Sequence, residues 1–268
     1  MSNPRPLAGK VAIITGSTRG VGAAIATRLA SYGADVVINY HKVDMAATRM
    51  AYGINSAEDK GGRAIVVKAD VSTVEGGKKL LGECVKQLGP PNIVVLNASF
   101  MGHKPLSEID EEYFDAFFDT NVKGALFLAK AAAEGMTEGD RIIFISTALT
   151  RVSTVLPMAL LFAATKGAVE QIVRVLAKDL GQRGITVNAV ASGPVDTPLF
   201  RAGKSAHMIR WIESLHPQQR LPQADEISPA VAFLASKEAG WINGQTLGVN
   251  GVSHKIHCQV EENTHLCS

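Results

Sequence analysis

The segment Thr15-Gly16-Ser17-Thr18-Arg19-Gly20-Val21-Gly22 places three glycines between a β-branched run and a helical stretch. Glycine there lets the chain turn tightly and brings its backbone against a pyrophosphate. The N–H groups and positive dipole end of the following helix then face the phosphates. This is the chemistry of a dinucleotide site. Which dinucleotide it takes depends on the tip of the second strand run, where an unphosphorylated ribose needs a carboxylate. Here that run ends Asn39-Tyr40-His41-Lys42, with no acid. Arg19, inside the glycine turn, together with Asn39, His41 or Lys42 suits a 2′-phosphate, which a carboxylate would repel. The expected cofactor is NADP(H) rather than NAD(H).

Such a cradle needs a strand before it, a helix after it and further strands beside it. Seven short β-branched runs qualify, at residues 11–15, 35–39, 64–68, 92–96, 141–145, 186–190 and 246–250. They are apolar on both faces, as parallel strands covered by helices on both sides must be. Helical stretches alternate with them: 21–32, closed by Gly33; 73–88, capped by Ser72 or Thr73; 157–180; and 229–235. The expected fold is α/β: a doubly wound, mostly parallel seven-stranded sheet with helices on both faces, Rossmann-type, in a single domain. Hydrophobic residues make up 46% of the 268 and charged ones 19%, enough for a sizeable core. A formal net charge of +2 argues against nucleic acid or an anionic membrane as a partner. The apolar runs are too short for a membrane span, and the start carries no basic-then-apolar signal, so the cytoplasm is the expected location. Cys84, Cys258 and Cys267 make no disulfide framework.

Further segments follow in a telling order: Asp70-Val71, Leu96-Asn97-Ala98-Ser99, Thr120-Asn121-Val122, Ala164-Thr165-Lys166-Gly167-Ala168, Thr186-Val187-Asn188 and Gly193-Pro194-Val195-Asp196-Thr197. With the glycine turn, they resemble the motifs of the short-chain dehydrogenase/reductase family over residues 7–251. The look is nearest to fungal reductases of hydroxynaphthalenes and related aromatic polyketides. The resemblance implies hydride transfer between a nicotinamide and a carbonyl or alcohol. It implies cofactor contacts from Gly16, Thr18, Arg19, Gly20, Val21 and Gly22, and from Asp70 and Val71 at the adenine. Asn97, Ala98 and Ser99 would follow, then Lys166 at the ribose and Pro194, Val195 and Thr197 at the nicotinamide.

The same resemblance puts Asn121 and Lys166 in the active site. The family's proton donor is a tyrosine one helical turn before the lysine, its pKa lowered by the lysine cation. Here that position is Phe162, which has no hydroxyl, and no tyrosine follows Tyr113. The family's serine after the fifth strand falls on Thr147, which hydrogen-bonds as well, or on its neighbour Ser146. Ser99, Ser192 and Val252 stand where the family has glycine, proline and glycine. Several departures together read as natural divergence, against an engineered Tyr→Phe change.

Three readings of function stay open. One is an NADPH-dependent reductase of a carbonyl or similarly electrophilic group on an apolar, secondary-metabolite substrate, working without the tyrosine acid. The second is a repurposed enzyme catalysing a non-redox cyclisation, isomerisation or dehydration. The third is an engineered variant or a non-catalytic NADP(H)-binding protein. For the proton, the substitutes are His103, Lys104, Asp196 or a water held by Lys166 and Asn121. Residues 197–221, with Phe200, Met208, Ile209, Trp211, Ile212 and Leu215, should wall an apolar small molecule, joined by Met101, Leu156, Met158 and Phe162. Stretches 125–135 and 157–180 suit a homodimer or homotetramer interface. Residues 252–268 read as a flexible tail beyond a domain of 1–251. Its His254, His257, Cys258, His265 and Cys267 match no zinc spacing, so no metal is expected.

Overall fold

The computed structural model describes residues 5–42, 45–57, 61–153 and 155–251. Val252, the histidines and cysteines of 252–268 and the tail assignment lie outside the described residues. The seven apolar runs form strands β1 (Val11–Ile14), β2 (Asp35–Tyr40), β3 (Ala64–Lys68), β4 (Ile93–Leu96), β5 (Arg141–Thr147), β6 (Thr186–Ser192) and β7 (Thr246–Val249). All pair in parallel, in the order β3-β2-β1-β4-β5-β6-β7. Winding reverses between β1 and β4, so the loops leaving their carboxyl ends part and open a crevice.

Between the strands lie α1 (Gly20–Ser31), α2 (Met45–Asn55), α3 (Val74–Gln87), α4 (Glu111–Phe118), α5 (Ala125–Gly135), α6 (Leu160–Gly181), α7 (Pro198–Arg201), α8 (Ala206–Ser214) and α9 (Ser228–Ala235). Alternate strand side chains point to opposite faces. Ala12, Ile14, Val36 and Ile38 pack with Leu29 of α1, Ala47 of α2 and Val231 of α9. Val11, Ile13, Val37 and Val94 pack with Leu80 of α3, Leu128 of α5 and Val169 of α6. Each fully buried Ile or Leu contributes roughly 1.5–3 kcal/mol, so two continuous cores hold the sheet rigid beneath its loops. A third, small cluster of Phe200, Ile209, Ile212 and Leu221 stands apart under the segment after β6.

Some boundaries differ from the pattern read in the sequence, for local reasons. Thr73 alone caps α3, accepting Gly76 N–H at 3.0 Å, because the Ser72 hydroxyl donates to Asp70 at 2.7 Å. The stretch read as one helix from 157 opens with a 3₁₀ turn, Pro157–Ala159, before α6 begins. Proline fits a first turn, where its missing N–H costs nothing. β5 and β6 each run two residues past their apolar runs, which carries Ser146 and Thr147 up to the crevice. Among the described residues no helix is long and apolar enough to cross a membrane. Cys84 is buried and its thiol is pushed up to about 12, which leaves it unreactive.

Candidate active site

The glycine turn leaves β1 and is clamped from two sides. Asn97 Nδ2 donates to Thr15 O at 2.8 Å and Gly16 O at 3.1 Å. Asn39 Oδ1 accepts Gly16 N–H at 3.0 Å while its Nδ2 donates to Ala69 O at 3.1 Å. Gly16 sits at φ +61°, and a Cβ there would stand 3.1 Å from Ala98 Cα, so the turn requires glycine. Asn39, expected among the 2′-phosphate ligands, is corrected by this geometry. It is buried with its amide engaged by backbone, and it shapes the turn instead of meeting a phosphate.

Helix α1 then starts behind Arg19, whose side chain makes no capping bond. By contrast α3, α4, α7 and α8 are capped by Thr73, Asp110, Thr197 and Ser205. The first N–H groups of α1 therefore face the crevice without a side-chain acceptor, where helix dipole and donors favour an anion. Arg19, His41 and Lys42 are exposed around this end. His41 Nε2 lies 3.5 Å from Asp70 Oδ2. Burial raises the Asp70 carboxyl, but bonds from Ser72 and the charges of His41 and Lys42 hold it below its usual range.

At the other end, β5 presents Ser146 and Thr147. Ser146 Oγ donates to Glu170 Oε1 at 2.8 Å, and the same carboxylate takes Thr150 Oγ1 at 2.8 Å and Arg151 Nη2 at 3.2 Å. Thr147 Oγ1 receives a 3.4 Å bond from Leu149 N–H and engages no other side chain among the described residues. Of the two hydroxyls, that of Thr147 is the one left available to a ligand. Phe162, Lys166 and Glu170 succeed one another a turn apart on α6. Lys166 Nζ is buried, donates to Ile145 O at 2.7 Å and lies 5.7 Å from the centroid of the Phe162 ring. Among the described residues no counter-charge offsets its burial, which pushes the ammonium down to about 8.

Asn121 sits in a π-helical turn, Asp119–Gly124, between α4 and α5. Its Oδ1 accepts Phe100 N–H at 2.7 Å and the Ser99 hydroxyl at 3.1 Å, and its Nδ2 donates to Phe100 O at 3.0 Å and Thr165 Oγ1 at 3.1 Å. All four hydrogen-bonding positions of the amide are filled. Through its side chain Asn121 ties the loop after β4 to α6 from behind the wall, so a water shared with Lys166 would have to meet its backbone.

One cavity of about 890 Å³ joins the two ends. Apart from Asn121, Lys104, Asp196 and Ile209, its lining includes the site residues expected from the sequence: Gly16, Thr18, Arg19, Gly20, Val21, Gly22, Asn39, Tyr40, His41, Asp70, Val71, Asn97, Ala98, Ser99, Thr147, Phe162, Lys166, Pro194, Val195 and Thr197. The loop after β6 crosses to the glycine turn, where a Cβ on Gly20 would come within 3.1 Å of Thr197 Cγ2. Met101, Leu156, Met158, Phe200, Met208, Trp211, Ile212 and Leu215 wall the remaining space with Phe162. Ile209 does not; it turns into the small cluster below. Among the expected proton sources, Lys104 turns away to Asp110 at 3.2 Å, and Asp196 is gripped by Arg201 at 2.5 and 2.9 Å. Those bonds hold Asp196 below the usual carboxylate range, and neither residue lines the cavity. His103 does line it.

Phe100, Leu149, Val152, Lys204 and His216 also line the cavity and are absent from the sequence reading. They lie in short loops and helix ends, where no periodicity marks the inward side. His216 is buried, and its Nε2 has no hydrogen-bond partner among the described residues.

Comparison with known proteins agrees with this layout. A family model described as enoyl-(acyl carrier protein) reductase matches residues 16–253. The short chain dehydrogenase/reductase AacuN of Aspergillus aculeatus is 40% identical over 262 residues, covering 93% of this chain and 97% of that protein. Elsinochrome reductase 1 of Elsinoe fawcettii is 36% identical over 258 residues, covering 92% and 95%. A solved short chain dehydrogenase from Burkholderia cenocepacia in complex with NADP is similar with a TM-score of 0.87 at 34% identity, covering 93% of this chain and 100% of that one. Similarity of this extent, carried on a seven-stranded parallel sheet with the glycine turn at β1 and a buried lysine on α6, settles the family. The chain belongs to the short-chain dehydrogenase/reductase family.

Proposed function

We propose that the protein is an NADPH-dependent reductase of a carbonyl or similarly electrophilic group on an apolar, secondary-metabolite substrate, working without the tyrosine acid. The observation that carries this reading is a cavity that runs unbroken from the glycine turn to Thr147 and Lys166. At one end the uncapped α1 meets Arg19, His41 and Lys42; at the other an apolar wall meets Thr147 and Lys166. The similarity to a dehydrogenase solved with NADP and to a protein named for reducing elsinochrome supports the cofactor and the substrate class. When bound, the reduced nicotinamide supplies hydride. On the chain's side, the Thr147 hydroxyl donates to the substrate oxygen and fixes its direction. Lys166 Nζ, charged below about pH 8, holds the proton that Phe162 cannot supply. The Phe162 ring and the apolar wall keep bulk water from that proton.

Phe162 itself favours a second reading, a non-redox cyclisation, isomerisation or dehydration in the same cavity. Following NADPH absorbance and product together, over quinones and aromatic ketones, separates the two. Consumption of NADPH with product formation is the expected result. Product without NADPH consumption replaces the first reading by the second, and binding without conversion leaves an NADP(H)-binding protein.

The cofactor preference has its own test. Arg19→Ser should weaken NADPH by about tenfold, the loss of roughly one charge-assisted hydrogen bond, and leave NADH nearly unchanged in a fluorescence titration. Equal affinity of the unaltered protein for the two cofactors would sink the assignment. The proposal is completed by a homodimer or homotetramer, because α5 and α6 expose Phe127, Leu160 and Val175. Light scattering from a monomer would remove that part.

A further inference from the structure

The substrate end of the cavity holds a pair of bases with no acid to balance them among the described residues. His103, on the loop after β4, and Lys204, on the turn after α7, are 101 residues apart in sequence. Their Nε2 and Nζ atoms nevertheless stand 3.0 Å from one another, and both residues line the cavity. Lys204 Nζ also donates to Phe200 O at 2.7 Å and rests 4.6 Å from the centroid of the Phe200 ring. None of these partners carries negative charge.

The neighbouring basic residues are matched: Lys104 takes Asp110 and Arg201 takes Asp196. Asp70, far along at the cofactor end, is the one carboxylate lining the cavity among the described residues. Burial lowers the pKa of both His103 and Lys204, and the lysine charge lowers the histidine further. A lysine ammonium that donates to an imidazole beside an apolar wall, with no carboxylate partner among the described residues, keeps its charge uncompensated, and an anion arriving there can accept from both side chains.

We propose that His103 and Lys204 form a subsite for an acidic oxygen, a carboxylate or phenolate, carried by an otherwise apolar aromatic substrate. The inference rests on the reading that this cavity binds the substrate, and it adds which substrates the cavity prefers. The oxygen accepts from Lys204 Nζ and from His103 Nε2–H, in place of the contact the two bases now make with each other. The apolar wall, with Phe200 and Trp211, takes the ring. A bound acid then has its charged end fixed at the mouth of the substrate loop, and its carbonyl is left to the region of Thr147.

Paired ligands provide the test. Binding of 2-naphthoate, 2-naphthol and methyl 2-naphthoate to the full chain is measured by calorimetry, with and without saturating NADP⁺. The expected result is that naphthoate binds about tenfold or more tightly than its ester, the scale of one charge-assisted hydrogen bond. Naphthol, measured above and below its ionisation, separates the phenolate from the carboxylate. Lys204→Met and His103→Leu should each shrink the acid-over-ester preference to about twofold or less, a ratio that a general loss of folding would not alter selectively. Equal binding of acid and ester, a preference that survives both substitutions, or no binding of any of the three overturns the proposal. If the preference is present but no NADPH is consumed with any substrate, the anion subsite stands and the reductase reading falls.

Discussion

Phe162→Tyr is expected to raise NADPH-dependent reduction of plain aromatic ketones by about 10²-fold or more, within the 10²–10⁴ that a placed general acid contributes. Phe162 is half-buried, its ring lines the cavity, and Lys166 Nζ lies 5.7 Å from the ring centroid. A hydroxyl added at the ring's tip enters open volume instead of the packed core, so stability should change by no more than about 0.5 kcal/mol. Beside a buried cation a phenol is more acidic than in water, and it sits where the family's tyrosine stands. Quinones and other activated electrophiles need less help from an acid, so their rates should rise less. Initial rates from NADPH absorbance, for both proteins on both substrate classes, decide the matter. Rates unchanged on both classes would mean that proton delivery does not limit the reaction, and the assignment of Lys166 as the native source would lose its basis.

Lys166→Met acts in opposite directions on activity and on stability. Removing the proton held at Nζ should lower the reduction rate by about 10²–10⁴. Stability should increase. Burial pushes Lys166 from 10.5 down to about 8, so the folded protein binds fewer protons than the unfolded chain between those values. Stability of the native protein therefore rises with pH across that window, and the full penalty applies below about pH 8. At 1.36 kcal/mol per unit the penalty near neutrality is roughly 3 kcal/mol. Loss of the 2.7 Å bond to Ile145 O takes back about 1 kcal/mol. A net gain of about 2 kcal/mol for the methionine variant at pH 7 follows, and it should vanish by about pH 10.5. Urea unfolding at pH 7 and pH 10 measures both numbers. A variant less stable than the parent at pH 7 would mean that the ammonium is compensated, and that Lys166 carries no strained proton.

Much of this arrangement is legible in the sequence because the inner strands β1, β4 and β5 are buried on both faces and read as unbroken apolar runs. The edge run 64–68 is only partly buried, yet its β-branched residues still coincide with β3 to the residue. The glycine turn is equally legible, since Gly16 meets steric demands that few residues satisfy. What stays hidden is the direction of individual polar side chains. Asn39 and Asn121 are the residue types a site would use, yet both are saturated by backbone and side-chain partners that only the folded chain brings near. Asn121 depends on a π-helical turn, a local widening that no spacing in the sequence announces. Lys204 and His103 meet across 101 residues of chain, and Lys204 looks in the sequence like any surface lysine. α2 and α4 also pass unread. Asp110 with Glu111 and Glu112 is a legible start for α4, but its apolar side is short and aromatic.

The small cluster of Phe200, Ile209, Ile212 and Leu221 has a consequence for traffic through the cavity. The two large cores are continuous with the sheet, and the clamps from Asn39 and Asn97 lock the glycine turn into them. Widening the cavity from that side means breaking the body of the protein. The segment bearing α7 and α8 has its own apolar centre, so it can swing as one piece with that centre intact. Any widening of the cavity for a bound molecule is therefore expected on this side. Its side-chain links to the rest, Lys204 on His103, Arg201 on Asp196 and Arg220 on Glu226, all lie at the surface, so an outward swing would break ion pairs and hydrogen bonds but no part of the two large cores.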